Sequence, residues 1–172
     1  FPHFPVADSH HHRAGLDDAI RRVLDGGQFV LGDEVQEFET EFSRFLNAGS
    51  TVGVASGTDA IELMLRALDI GQGDKVVVPA LTADACAAGV RRAGAEVVLA
   101  DIEEATFTLC PHSLAELLNS PAGTGVKAVL VVHLYGHMAD WAALQEVAAA
   151  HDVILLEDAA QAHGALWRGR MA

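Results

Sequence analysis

Two periods of apolar residues alternate along this chain. Short continuous apolar runs end at turn residues, and between them apolar positions recur every three to four residues. Such alternation is the signature of βα units and a largely parallel sheet. It predicts strands at residues 51–55, 75–79, 96–100, 128–133 and 153–157. Their near-continuous Val, Ile and Leu content is that of strands covered on both faces. Helices are expected at 59–68, 83–93, 113–119 and 141–150, with Gly71, Gly73 and Gly94 as stop signals. Two more helices, 16–24 and 34–46, precede the first strand. In the second, Val35, Phe38, Phe42, Phe45 and Leu46 recur at helical spacing as a packing face, and Gly32 or Asp33 is placed to cap it. Residues 119–125 read as a flexible surface loop, and 166–170 as the beginning of a hairpin left incomplete at Ala172.

Composition narrows the function classes. A chain of 172 residues has room for one domain with a sizeable core. An apolar fraction of 51% and a mean hydropathy of +0.24 fit Ala-rich helices around doubly covered strands. No apolar run approaches the ~20 residues that span a bilayer, and Phe1-Pro2-His3 lacks the regions of a signal peptide. The expected location is the cytoplasm. A net charge of −13 argues against nucleic acid, whose phosphates call for clustered Lys and Arg. Cys86 and Cys110 are too few and too far apart for a disulfide framework or a zinc site, and Cys86 is expected as a small core residue. The run His10-His11-His12, with His3 and Asp8, lacks the separated ligand pairs of structural zinc and reads as a solvated segment. No metal site is expected.

Two segments carry candidate chemistry. The apolar run Val153-Ile154-Leu155-Leu156 ends in Glu157-Asp158, with Gln161 three positions further on. A strand that ends in an acid followed by an amide can clamp a protonated heteroaromatic ring; the alternative is a strand-end acid with a solvated partner. Upstream, Ser56-Gly57-Thr58-Asp59 is a small-residue turn that opens a helix. Its unpaired N–H groups and the helix dipole converge where a phosphate can sit, or else it is a plain helix cap. The absence of a GxGxxG pattern weakens a dinucleotide reading. His133, Tyr135 and His163 lie at or just beyond predicted strand ends, where ligands bind in such sheets, or where they serve as satisfied interface residues.

The order Gly32-Asp33-Glu34-Val35, Ser56-Gly57-Thr58-Asp59-Ala60, Val78-Pro79-Ala80-Leu81-Thr82, Val132-His133-Leu134-Tyr135-Gly136 and Glu157-Asp158-Ala159-Ala160-Gln161 resembles the DegT/DnrJ/EryC1/StrS family. The resemblance runs from about Ala14 to the last residue. It implies an α/β fold: part of the large domain of a pyridoxal-phosphate-dependent fold type I aminotransferase, a mostly parallel sheet flanked by helices. It implies a helical segment at 1–50, which helps build the dimer and the active-site entrance, and a partial cofactor-binding domain at 51–172. By resemblance Gly57 and Thr58 bind the phosphate, Asp158 pairs with the pyridine nitrogen and Gln161 contacts the ring hydroxyl. His133, Tyr135 and His163 become substrate-side candidates.

The implied activity moves an amino group from glutamate or glutamine to a keto-sugar or cyclitol, often nucleotide-linked. The family's Schiff-base lysine lies in a Ser-Phe-x-x-x-Lys type segment that these residues do not include. Lys75 and Lys127, the chain's two lysines, match strand-entry positions instead. No catalytic residue is therefore assigned within the chain, which is expected to be inactive alone. A homodimer or a complementing C-terminal half is the expected partner. Two other readings stand beside this one: a non-catalytic scaffold or split-half protein, and a sugar dehydratase with histidine in place of the lysine. One departure from the family pattern is Ala83, where an aromatic residue usually stacks on the cofactor ring.

Overall fold

The computed structural model describes residues 13–172; the histidine run and its neighbours His3 and Asp8 lie outside the described residues. The chain divides between Gly53 and Val54 into two compact units.

In the first unit, α1 (Arg13–Gly26) and α2 (Asp33–Leu46) are joined by a glycine-bounded turn. Arg22 Nε donates to Glu34 Oε1 at 2.8 Å, and this bond holds the exposed Glu34 carboxyl below its ordinary range. Gly32 caps α2 without any side-chain bond, and Asn47 ends it in the left-handed conformation, with φ of 52°. The phenyl rings of Phe38, Phe42 and Phe45 stack in sequence at 5.3 and 6.0 Å between centroids. Residues 51–55, expected as a strand, form none. An apolar pattern reports extended backbone, whereas a strand needs a partner's ladder of hydrogen bonds. Here the Gly53 N–H donates instead to the Glu39 carboxylate at 2.7 Å.

The second unit is a three-layer sandwich. Its sheet runs in the order β2 (Glu96–Ala100), β1 (Lys75–Pro79), β3 (Val126–Val132), β4 (Ile154–Asp158), with all three pairings parallel. Alternate residues face opposite layers. Val76, Val78, Ala128, Leu130, Val132 and Leu156 pack under α3 (Gly57–Ala67) and α4 (Asp84–Ala93). Val77, Val129, Val131 and Leu155 pack under α5 (Pro111–Asn119) and α6 (Trp141–His151). Between Lys75 and Val76 the register against β3 slips by one residue. That bulge leaves Lys127 unpaired and exposed while its neighbours stay buried.

Two further expectations change. Residues 119–125 are an ordered turn rather than a loose loop. Ser120 caps a short 3-10 turn at Pro121–Gly123, and a Cβ on Gly123 would lie 2.6 Å from Leu117 O. The hairpin closes within the chain: β5 (Leu166–Trp167) pairs antiparallel with β6 (Arg170–Met171). Arg168 and Gly169 both take positive φ, 50° and 81°, as a two-residue hairpin turn requires. Among the described residues no helix is long and apolar enough to cross a membrane.

Candidate functional site

After β1 the chain moves outward to β2 and then returns to the other side of β1 to form β3. In an open parallel sheet, ligands bind outside the carboxyl ends of the strands at such a reversal. The segments that leave those ends carry Thr82 after β1, His133 and Tyr135 after β3, and Asp158 closing β4.

Asp158 is held on both oxygens. Oδ1 accepts the Ala160 N–H at 3.0 Å, and Oδ2 lies 3.4 Å from the Cys86 thiol of α4. Its main-chain carbonyl accepts the His133 N–H at 3.0 Å, which extends the β3–β4 pairing one residue past the strand.

Gln161 is oriented by a bend in the backbone. Tyr135 is exposed and adopts φ of 57°, followed by Gly136 at 81°. This conformation aims the Tyr135 N–H at Gln161 Oε1, 2.7 Å away. A main-chain N–H can only donate, so this bond identifies the oxygen of the Gln161 amide, holds it toward Tyr135 and leaves the amide N–H groups able to donate to a ligand. A side chain at Gly136 would come within 3.2 Å of Gln161 O, a reason for glycine there. The Tyr135 ring meets Phe107 edge-on at 6.2 Å. Non-glycine residues in the left-handed region are uncommon, and Phe107 shares it, with φ of 60°.

His133 is fully buried. Its Nδ1 accepts the Ala139 N–H at 3.1 Å, so the ring proton sits on Nε2, which donates to Glu157 Oε1 at 2.7 Å. The imidazole therefore faces the protein interior and ties the end of β3 to the segment that leads into α6. His163 is exposed, in the turn after Gln161.

The other end of the site is the start of α3. Ser56 caps it: its Oγ accepts the Asp59 N–H at 3.1 Å and its carbonyl accepts the Ala60 N–H at 3.0 Å. The N–H groups of Gly57 and Thr58 come before the helix's own bonding begins. A Cβ on Gly57 would meet nothing within 4 Å, so there is open space beside those donors. The acidic side chain in this turn does not oppose an anion with free charge, because Asp59 pairs with Arg92 at 2.8 Å and accepts the Ser56 hydroxyl at 2.8 Å.

Helix α4 connects the two ends. A Cβ on Gly89 would lie 2.8 Å from Ile61 and 3.0 Å from Thr58 O, so α3 rests directly on the α4 backbone. Cys86, three residues earlier, reaches Asp158. One turn of α4, roughly 5 Å along its axis, thus relates the phosphate-type donors to the carboxylate. Arg92 reinforces the contact by bridging Asp59 and Glu62, both at 2.8 Å. Sequence reading missed Cys86, Gly89, Arg92 and Glu157 as contributors. Cys86 and its partner Asp158 lie 72 residues apart, so no local pattern links them. Ala83 caps α4 with an exposed methyl group.

Lys75 and Lys127 sit where β1 and β3 begin, whereas Asp158 ends β4. In a parallel sheet this separates them from the carboxylate by about 13–17 Å along the strands.

The fold is that of part of the large domain of a fold type I pyridoxal-phosphate aminotransferase. The chain belongs to the DegT/DnrJ/EryC1/StrS aminotransferase family, whose model matches residues 11–172. It is 48% identical over 158 residues to a dTDP-3-amino-3,4,6-trideoxy-alpha-D-glucose transaminase of Streptomyces venezuelae, covering 92% of this chain and 41% of that protein. The crystal structure of S. venezuelae DesV in complex with a ketimine intermediate superimposes with a TM-score of 0.90 at 44% identity, covering 96% of this chain and 44% of that one. A GDP-4-keto-6-deoxymannose-3-dehydratase with a trapped PLP-glutamate geminal diamine follows the same fold, with a TM-score of 0.80 at 30% identity, covering 90% and 41%. The chain spans about two fifths of the length of the curated relatives it matches.

Proposed function

We propose that these residues form the cofactor-binding portion of a pyridoxal-phosphate aminotransferase. Its substrate is a keto-sugar or cyclitol, possibly nucleotide-linked, and glutamate or glutamine supplies the nitrogen. The observation that carries this reading is Asp158, a carboxylate anchored on both oxygens at the carboxyl edge of the sheet. The residues fit the cofactor: first-turn N–H groups of Gly57 and Thr58, with open space at Gly57, for a phosphate, a carboxylate for the ring nitrogen, and an N–H donor on Gln161 for the ring oxygen. Bound pyridoxal phosphate supplies an electron sink for bond cleavage at the amino-bearing carbon. Asp158 holds the proton on the ring nitrogen, which keeps that sink effective. Gln161 orients the ring by donating to its hydroxyl oxygen. Gly57 and Thr58 fix the phosphate end, the Thr58 hydroxyl adding a donor, while Tyr135 and His163 border the substrate side. The proton-shuttling lysine of the family lies outside these residues.

Residues 1–50 act as the helical entrance segment and residues 51–172 as the cofactor domain, in a cytoplasmic homodimer. The exposed Phe38 and Phe45 of α2 are apolar surface suited to a second copy. The test is Asp158→Asn in the complete protein, with the amino-donor half-reaction followed by cofactor absorbance. A loss of at least about 100-fold in rate is expected for a group acting on the reacting ring. An unchanged rate would remove the assignment. The similarity to a dehydratase favours a second reading, sugar dehydration on the same cofactor scaffold. Product analysis separates the two: an amino sugar for the first, a deoxy-keto sugar for the second.

A further inference from the structure

The side chains that contact Asp158 point to a positioning device that rests on the reading above. Thr82, Cys86 and Asp158 form a hydrogen-bonded row: Thr82 Oγ1 to Cys86 Sγ at 3.2 Å, and Cys86 Sγ to Asp158 Oδ2 at 3.4 Å. An ionised carboxylate can only accept, so the Cys86 thiol donates to Asp158 and the Thr82 hydroxyl donates to sulfur. The row therefore has one direction. Cys86 is 1% exposed, and it is walled by the apolar layer that holds Val78, Val90 and Leu130. Burial pushes its thiol up to about 11, so it keeps its proton at neutral pH. Because Ala160 N–H holds Oδ1, the thiol fixes the rotation of the carboxylate by holding the other oxygen.

We propose that Cys86 is a positioning residue: its thiol, itself aligned by Thr82, sets the carboxylate plane of Asp158 toward the ring nitrogen of the bound cofactor. The row orders the site through α4, the helix that also seats the phosphate-binding start of α3 by way of Gly89. A small core residue chosen for packing has no need of a donor, and here the two roles make opposite demands.

The experiment uses the complete cofactor-loaded protein with Cys86→Ser, Cys86→Ala, Cys86→Val and Asp158→Asn. Two quantities are read: the dissociation constant of the apoprotein for pyridoxal phosphate, and the 15N resonance of the ring nitrogen in labelled cofactor. Cys86→Ser retains a donor, so its affinity is expected to stay within about twofold of wild type and its ring resonance in the protonated range. Cys86→Ala and Cys86→Val should weaken binding by about five- to tenfold and move the resonance toward the unprotonated position. If Val keeps affinity and resonance while Ser loses them, Cys86 acts by packing and the proposal is overturned. The proposal also falls, with the Asp158 assignment standing, if Ala and Val leave both readouts unchanged while Asp158→Asn moves the ring resonance. A ring resonance unmoved by Asp158→Asn would overturn the underlying assignment as well.

Discussion

Gly89→Ala tests the junction on which both ends of the site depend. The added methyl falls 2.8 Å from Cβ and Cγ2 of Ile61 and 3.0 Å from the Thr58 carbonyl oxygen. Carbon pairs rest at about 3.5–4.0 Å, so α3 must retreat by roughly 1 Å. No rotamer change relieves this, because Ile61 Cβ is fixed to its backbone and Thr58 O belongs to the main chain. Alanine in place of glycine inside a helix gains about 1 kcal/mol. Overpacking a filled core costs about 1–3 kcal/mol, and since one of the clashing atoms is backbone the upper part of that range applies. The expected net loss is about 1–2 kcal/mol, read from urea unfolding of the intact apoprotein. Cofactor affinity should fall as well, because the moving carbonyl is that of Thr58. Combined with Ile61→Ala, which removes Cγ2 but keeps Cβ, the total loss should be smaller than the sum of the two single losses, as for coupled neighbours. A Gly89→Ala protein as stable as wild type, or more so, would refute the close approach of α3 and α4.

Three other outcomes are expected. His133→Ala orphans the buried Ala139 N–H and removes the partner of Glu157, so unfolding measurements should show a loss of about 3 kcal/mol; a loss below about 1 would contradict the bonding described. Ser56→Ala should cost about 1 kcal/mol and Ser56→Gly only a few tenths, and equal losses in thermal unfolding would mean that the cap contributes nothing. The folded Cys86 thiol titrates near 11 against an ordinary value of 9.0, chiefly because it is buried, with nearby Asp158 adding to the rise. Below pH 9 the thiol is protonated in both states and its contribution is complete. As pH climbs from about 9 to about 11 the unfolded thiol ionises first and that stability is lost. The difference in urea midpoint between wild type and Cys86→Ser should therefore shift across this window, and a flat difference would refute the burial argument.

What the chain alone disclosed follows from how local its signals are. The apolar runs of β1 and β3 bury residues on both faces, and those of the outer strands β2 and β4 are only partly covered, yet all four read as strands with no knowledge of their partners. Their neighbours α3 to α6 kept helical periodicity and polar stops, which placed those helices to within a few residues. The order of Ser56-Gly57-Thr58 and Asp158-Gln161 pointed to a phosphate and a protonated ring, because donor turns and strand-end acids are properties of short segments. Residues 51–55 misled for the converse reason: their apolar pattern matched a strand, but pairing depends on a neighbour that local pattern does not record.

Tertiary structure decided everything that joins distant residues. Strand order placed the reversal between β1 and β3, and with it the edge at which Asp158, Tyr135 and Thr82 emerge. It turned the imidazole of His133 inward, since the Ala139 N–H and the Glu157 carboxylate reach it only after the chain has folded back. The Gln161 amide is oriented because a backbone bend 26 residues earlier donates to its oxygen. Cys86 and Asp158 are 72 residues apart in sequence, and nothing in either segment announces the other. Propensity and periodicity act within a few residues of chain, so they determine the elements; the meeting of a thiol with a carboxylate is fixed by how those elements pack.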